Sequence, residues 1–567
     1  MNGRRAILVL LLGVIVAMNY FGEIVAMNDG AGWDGVIYRD IVLHIEDDFF
    51  AGGINKYHMH RFLPFAIVHF VLKWTGLGFD TTYIYKVCAV TNIVWLAVSV
   101  FYFFRLSRLM RWQGATETIG FACLFFNFHV LKYMGYYPLL TDMMALMLSC
   151  MAAFYAFRRQ RSEGFGDTLR LIAVGVVSLM VWPVLSMVVL GVVALPGLRG
   201  DGRCDTATNW TLGSLSRGFE AERGFEAERG FEAERGFEAE RGFEAERGFE
   251  AERSFEAERG FEAERGFEAE RGPAAWERRW WLCCRWAMVL WSPLFFVAYV
   301  FFRVHYRGVD TFRGLFVMRP AVNIVVLLLA AAVWMMFVWR AMKPLTIDWK
   351  PVFSSLFKKR NVARMLTSCL VFVLLYKAVE VFGGPSEFSF YYQLVQMSQF
   401  PLTDILIFIE THAIYLGLFF VLIVLCWKDI CRQTIITHGL PFYLLLLMTL
   451  FFVADIETRK LTAFFPFLLV LLMGVIDEKR FCRLVPWAFV AVQLMVSFCW
   501  WPINVDGIAE AFQTYEVDVY MEFPAQRYFM FQGPWQSHEV YLCCLAVELL
   551  LMGVIVLFHR KRIWYQR

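Results

Sequence analysis

Residues 4–27 read RRAILVLLLGVIVAMNYFGEIVAM: two arginines, then an apolar run to Met27. About 20 such residues cross the ~30 Å hydrocarbon core as a helix, because backbone groups there must pair among themselves. No small-x-small cleavage site precedes the polar residues that follow. The segment therefore reads as an uncleaved first span, with Arg4 and Arg5 holding the N-terminus in the cytoplasm. Similar runs recur along a chain that is 59% hydrophobic and 17% aromatic, with a mean hydropathy of +0.52. Charged residues make up 19%, below the roughly 25% of an average soluble domain. A soluble fold and a nucleic-acid partner are both excluded by this pattern. The expected class is all-α, a polytopic helical membrane protein with membrane lipids around it.

Working outward from span 1 fixes a parity for the rest. Residues 28–82 form a large outer loop, and the next clear span, about 83–104, ends in Arg105, Arg108 and Arg111. Inside the loop, Phe62–Trp74 is apolar but covers only about 20 Å as a helix, too short to cross. It reads as an interfacial helix. Spans follow at about 118–135 and 143–157, the second returning to Arg158, Arg159 and Arg161. Later spans near 280–301, 321–340, 365–382, 405–427, 440–454, 461–476, 484–500 and 539–558 alternate cleanly. Lys343 to Arg364, Lys428 to Arg432, Lys479 to Arg483 and His559 to Arg567 then lie inside. This holds only if 171–197, with Trp182-Pro183 at its centre, enters and leaves from the cytoplasm as a hairpin. The expected count is about 13–14 transmembrane helices, both termini cytoplasmic, in the inner membrane if the source is bacterial. Three parts result: a membrane module over 1–197, a cytoplasmic loop over 198–279 and a second membrane module over 280–567.

The loop holds a hexapeptide, Gly-Phe-Glu-Ala-Glu-Arg, nine times between Gly218 and Arg271, with Ser254 for one glycine. Each unit carries a net −1, so the block holds −9 and the remainder +12 of a chain at +3. Successive Phe side chains would rotate by about 240° round a helix, so no apolar stripe forms. A tolerated low-complexity insert is the simplest account, and a docking arm is the alternative. The 13 cysteines show neither a disulfide framework nor zinc spacing.

Ionisable residues at membrane boundaries are candidates for function. The outer loop opens with Trp33-Asp34-Gly35-Val36-Ile37-Tyr38, and Val36, Ile37, Ile41 and Ile45 recur at helical spacing. An amphipathic helix on the membrane would hold Asp34 at the lipid boundary, where its carboxylate could take a proton from an attacking alcohol. An ordinary N-cap is the plainer role. Arg61 in Arg61-Phe62-Leu63-Pro64 offers a planar fork to a phosphate. Asp142 opens the 143–157 span and has the same N-cap alternative. Arg459 and Lys460 sit at an outer boundary, suited to a lipid phosphate or to salt bridges with Asp455 and Glu457. Arg303, Arg307, Arg313 and Arg319 form a basic outer stretch that could hold an anion. Glu46-Asp47-Asp48 and His58/His60 lack the convergence a metal needs. No metal ligands are assigned, and a divalent cation stays open as a cofactor.

These pieces in this order resemble the GT-C class of polytopic glycosyltransferases. Trp33-Asp34-Gly35-x-x-Tyr38 resembles the motif of glycosylphosphatidylinositol mannosyltransferases and related bacterial proteins. Arg61-Phe62-Leu63-Pro64 resembles the Arg-x-x-Pro that opens the second juxtamembrane helix. Thr141-Asp142 resembles the second acidic position, and Arg459 with Pro466 the late arginine that contacts donor phosphate. The late motif reads Thr-Arg-Lys where Arg-Tyr is usual. The resemblance implies juxtamembrane helices in the first outer loop and inverting transfer from a polyprenyl-phosphate-linked sugar to a lipid or glycan acceptor. Asp34 would be the base, with Asp142 as a second catalytic carboxylate. Trp33, Tyr38, Arg61, Arg459 and Lys460 would bind substrate. Rival readings are a flippase or other transporter, for which Lys377, Glu380, Glu410 and His412 are the relevant mid-span charges, and a non-catalytic scaffold.

Overall fold

The structure, a computed structural model, describes residues 3–161, 165–195, 357–386, 407–453, 457–479, 481–514 and a few positions between 542 and 550. The hexapeptide block, the spans expected at 280–301 and 321–340, the basic stretch Arg303–Arg319 and most of 539–558 lie outside the described residues. Apart from Phe357 and Lys358, the described residues belong to one compact unit. Among them the only extended pairing is an isolated bridge, Asn55 to Gly384. The regular structure of the described residues is all helical, consistent with a helical membrane protein.

Helix α1 (Gly3–Tyr20) stops seven residues short of the expected Met27. Glu23 explains the early end. Its carboxylate takes Lys132 Nζ at 2.6 Å and the backbone N–H groups of Ile503 and Asn504 at 2.7 Å each, which a helical Glu23 could not do. After a 3-10 turn at Met27–Gly30 come α2 (Gly35–Ala51), the short α3 (Lys56–Met59) and α4 (Leu63–Thr75). The interfacial segment expected at Phe62–Trp74 is thus a helix, started by Pro64 in its first turn. In α2 the buried stripe is Tyr38, Ile41, Val42 and Ile45, packed against Phe65, Val68 and Leu72 of α4. Ile37 faces outward instead of joining the stripe. The large Tyr38 ring fills the core and rotates the helix by about one residue, 100°.

Helix α5 (Thr81–Met110) is longer than expected, because the Asp80 side chain caps it by accepting from Tyr83 N–H at 3.0 Å. The expected span 118–135 is split. Helix α6 (Gly114–Phe125) ends where the Asn127 amide donates to Cys123 O at 2.9 Å and Leu124 O at 3.0 Å. Asn127 Oδ1 in turn accepts Val130 N–H at 3.0 Å, starting a π-turn over His129–Tyr133. Such turns often mark functional positions. Then come α7 (Asp142–Arg161), α8 (Phe165–Ser178) and α9 (Pro183–Ala194). The last two pack on each other as the expected hairpin, with Val189 3.1 Å from where a Cβ on Gly175 would stand. Arg159 reaches Val192 O and Val193 O, so α9 returns to the end of α7.

The later helices are α10 (Lys359–Val381), α11 (Ile407–Leu416), α12 (Leu418–Gln433), α13 (Leu440–Val453), α14 (Phe465–Asp477), α15 (Val485–Val496) and α16 (Ile508–Thr514). The span expected at 405–427 breaks at Gly417, whose φ is +59°. Gln493 of α15 bridges the break, accepting Leu418 N–H at 2.8 Å and donating to Leu416 O at 3.0 Å. Helix α14 is apolar all round and buried almost throughout against α6, α7 and α12. That is the pattern of a core helix.

Among the described residues three helices are long and apolar enough to cross a membrane: α1, α5 and α10. Several of the basic segments gather at one end. Arg5 binds Glu117 at 2.6 Å, Glu117 also takes Ser107 Oγ at 2.5 Å, and Gln113 N–H reaches Asp477 Oδ1 at 2.9 Å. The opposite end carries the first long loop.

Candidate functional site

Four segments distant in sequence meet near the start of α7. Asp34 occupies the N-cap position of α2, half-buried, yet its side chain makes no capping hydrogen bond. The plain N-cap role is therefore not what this carboxylate does. Its charge acts on Tyr38, Tyr57, His58, Arg61, Tyr133 and Arg459. Trp33 beside it is exposed, its ring 6.1 Å from Tyr137 and 6.3 Å from Phe512 of α16. Tyr38 is completely buried, stacked on Phe65 at 4.2 Å and edge-on to His58 at 5.4 Å. A substrate would meet at most its hydroxyl, which makes no hydrogen bond among the described residues.

Arg61 lies over two aromatic rings, Tyr57 at 4.0 Å and Trp182 at 5.0 Å. Trp182 stands at the tip of the α8–α9 hairpin. That tip is tied to the first loop by Leu63 N–H donating to Met180 O at 3.2 Å and by His60 Nδ1 donating to Leu179 O at 3.0 Å. The same indole lies 5.6 Å from the Arg459 guanidinium. Arg459 Nη2 is 3.3 Å from Asp142 Oδ2, whose side chain is 0% exposed. Neither Asp142 oxygen makes an aligned hydrogen bond among the described residues, and neither do Thr141 Oγ1, Trp182 Nε1 or Arg459 Nε and Nη2. Buried polar atoms normally find partners, so such a cluster suits a ligand or ordered water.

Electrostatics link the group. Arg61 and Arg459 each feel both Asp34 and Asp142. Burial pushes the Asp142 carboxyl above the ordinary range, against the pull of Arg459 and Arg61. Burial also opposes the Arg459 cation, but Asp142, Tyr133, Asp34 and Glu457 outweigh it and hold it charged. Lys460 pairs with Glu457 at 3.4 Å, the salt-bridge alternative for that residue. Burial raises the Glu457 carboxyl, yet Lys460 and Arg459 together bring it below its usual value.

Arg459 sits on a 3-10 segment, Thr458–Ala463, held from three sides. His412 Nδ1 meets Thr458 Oγ1 at 2.8 Å, His129 Nε2 meets Thr462 Oγ1 at 3.0 Å, and Ser149 Oγ donates to Ala463 O at 2.8 Å. His412, expected as a mid-span charge, is thus a tether. Lys377 and Glu380 pair locally at 2.5 Å on an exposed face of α10. His58 and His60 do not face one ion: His58 Nδ1 meets Asn55 Oδ1 at 2.9 Å, while the His60 ring stacks on Tyr376 at 4.0 Å. Burial lowers His58 to about 4, with Asp34 pulling the other way. Glu46 is engaged by Lys73 at 2.6 Å. Among the described residues no group of three or more His, Cys, Asp or Glu side chains is arranged for a metal.

Sequence reasoning missed Trp182 and Tyr57 as site residues, along with the tethers His129 and Ser149, and singled out His412 only as a mid-span charge. Trp182 had a signal, an aromatic immediately before the proline that turns the hairpin. The tethers had none, because a buried histidine or serine in an apolar run looks the same whatever it bonds. No known family, curated protein or solved structure matches the chain.

Proposed function

We propose that the chain is a GT-C-like membrane glycosyltransferase, taking sugar from a polyprenyl-phosphate donor on the non-cytoplasmic face. The acceptor hydroxyl attacks C1 of the sugar as Asp34 takes its proton. The C1–O bond to phosphate breaks with inversion, and polyprenyl phosphate leaves with the electron pair. Arg459 and Arg61 offset the charge that develops on that phosphate. Asp142 orients Arg459, and Trp182 supports both guanidiniums from one ring. Sidedness follows from the basic end of the bundle, which the positive-inside rule assigns to the cytoplasm. The observation that carries the reading is that Arg61 and Arg459, from segments some 400 residues apart, share one buried indole and feel the same two carboxylates.

The test is Asp34→Asn in the full chain, assayed with short-chain polyprenyl-phosphate sugars. A general base contributes about 10²–10⁴-fold, so transfer should fall by that factor at normal expression. Undiminished transfer sinks the base assignment. A second reading has its own support: Asp34, Asp142 and Glu457 balance Arg61, Arg459 and Lys460, as a purely structural ion network would. A scaffold of that kind would bind donor without turnover.

A further inference from the structure

A second cluster of guanidiniums lies at the other end of α7 from Asp142, about 28 Å along the helix. Arg105 and Arg108 near the end of α5 meet Arg158 and Arg161 in the last turn of α7. With Leu109 and Phe154 they line a cavity of about 590 Å³, within the roughly 300–1,000 Å³ of small-molecule sites. The counter-charge is thin. Asp167 of α8 is shared between Arg158 and Arg170, at 3.0 Å from each. Arg105 rests on the rings of Phe154 at 4.8 Å and Phe101 at 5.5 Å, and Arg161 donates to the Leu109 carbonyl. Among the described residues no carboxylate pairs with Arg105, Arg108 or Arg161.

A bias toward basic residues at one membrane face accounts for their number. It does not account for four of them lining one groove with an apolar wall. Like charges this close repel, and an anion between them removes that cost. We propose that the groove binds a phosphate group, supplied by the headgroup of an anionic phospholipid or by free pyrophosphate. The planar forks suit bidentate contact with phosphate oxygens, and Phe154 and Leu109 suit the glycerol end of a lipid. The groove stands apart from the transfer site and does not depend on that reading.

The test uses the purified full chain in neutral detergent, titrated separately with dioctanoyl phosphatidylglycerol, dioctanoyl phosphatidylcholine and pyrophosphate. Phosphatidylglycerol binding at least ~10-fold tighter than phosphatidylcholine assigns the lipid source. Pyrophosphate binding without that preference assigns the free source. R105Q/R108Q should weaken the bound ligand by ~10-fold or more, and R105K/R108K, which keeps the charge needed for membrane insertion, by several-fold. K428Q, an exposed basic residue on α12 that does not line the groove, should leave binding unchanged. The proposal is overturned if neither probe binds selectively, if both double variants bind like the parent, or if K428Q weakens binding as much as R105Q/R108Q.

Discussion

Replacing Arg459 by Gln separates a binding role from a structural one. The guanidinium stands 3.3 Å from a carboxylate that is 0% exposed and has no aligned hydrogen bond among the described residues. At an effective dielectric of about 20, unit charges at that separation attract by about 5 kcal/mol. Removing one partner of a buried pair costs about 3–5 kcal/mol, because the other charge is left uncompensated. Asp142→Asn should cost a similar amount, since it strands the Arg459 cation. The double variant Asp142→Asn/Arg459→Gln removes both charges and should recover to within about 1 kcal/mol of the parent, the signature of a coupled pair. Denaturant unfolding of the detergent-solubilised chain measures all four species. Binding of a ten-carbon polyprenyl phosphate by titration calorimetry then decides function. The double variant should fold like the parent yet bind this phosphate about 100-fold more weakly, as the loss of a charge-assisted contact requires. Single variants within 1 kcal/mol of the parent would refute the buried pair. A double variant that binds phosphate normally would refute Arg459 as the phosphate contact and leave the structural network as the better account.

Three further predictions use the same preparations. Trp182→Ala removes the ring under both Arg61 and Arg459, each contact worth about 0.5–2 kcal/mol, and should weaken polyprenyl phosphate binding by about tenfold. Trp182→Phe should keep most of it, since the indole N–H makes no hydrogen bond among the described residues; equal binding by the Ala variant would remove Trp182 from the site. His58 titrates near 4 when folded and near 6.5 when unfolded, so the unfolded chain binds more protons between those values and stability falls as pH drops through them. From pH 7 to pH 5 the loss is about 2 kcal/mol, and His58→Asn should flatten that part of the profile; an unchanged slope would count against it. Gln493→Leu should cost about 1–3 kcal/mol by orphaning Leu418 N–H and Leu416 O at the Gly417 break, read as a lower unfolding midpoint.

The all-helical class was legible because apolar runs leave the backbone no water to bond with, and that constraint acts locally. The helix at Leu63–Thr75 followed from a short apolar run, and the hairpin around Trp182-Pro183 from the parity of the basic segments on either side of it. Asp34, Arg61, Asp142 and Arg459 were legible as types, since charges at apolar boundaries are costly enough to need a reason. Their convergence was not, nor was the rotation of α2 that buries Tyr38 in place of Ile37. Where α1, α6 and α11 end was also illegible, because Glu23, Asn127 and Gln493 decide it through particular hydrogen bonds, with Glu23 and Gln493 bonding to distant chain. Helix and apolar face are set by neighbours a few residues apart. A pair such as Asp142 and Arg459 is set by side-chain volumes packed across the whole bundle, and only the tertiary structure carries that information.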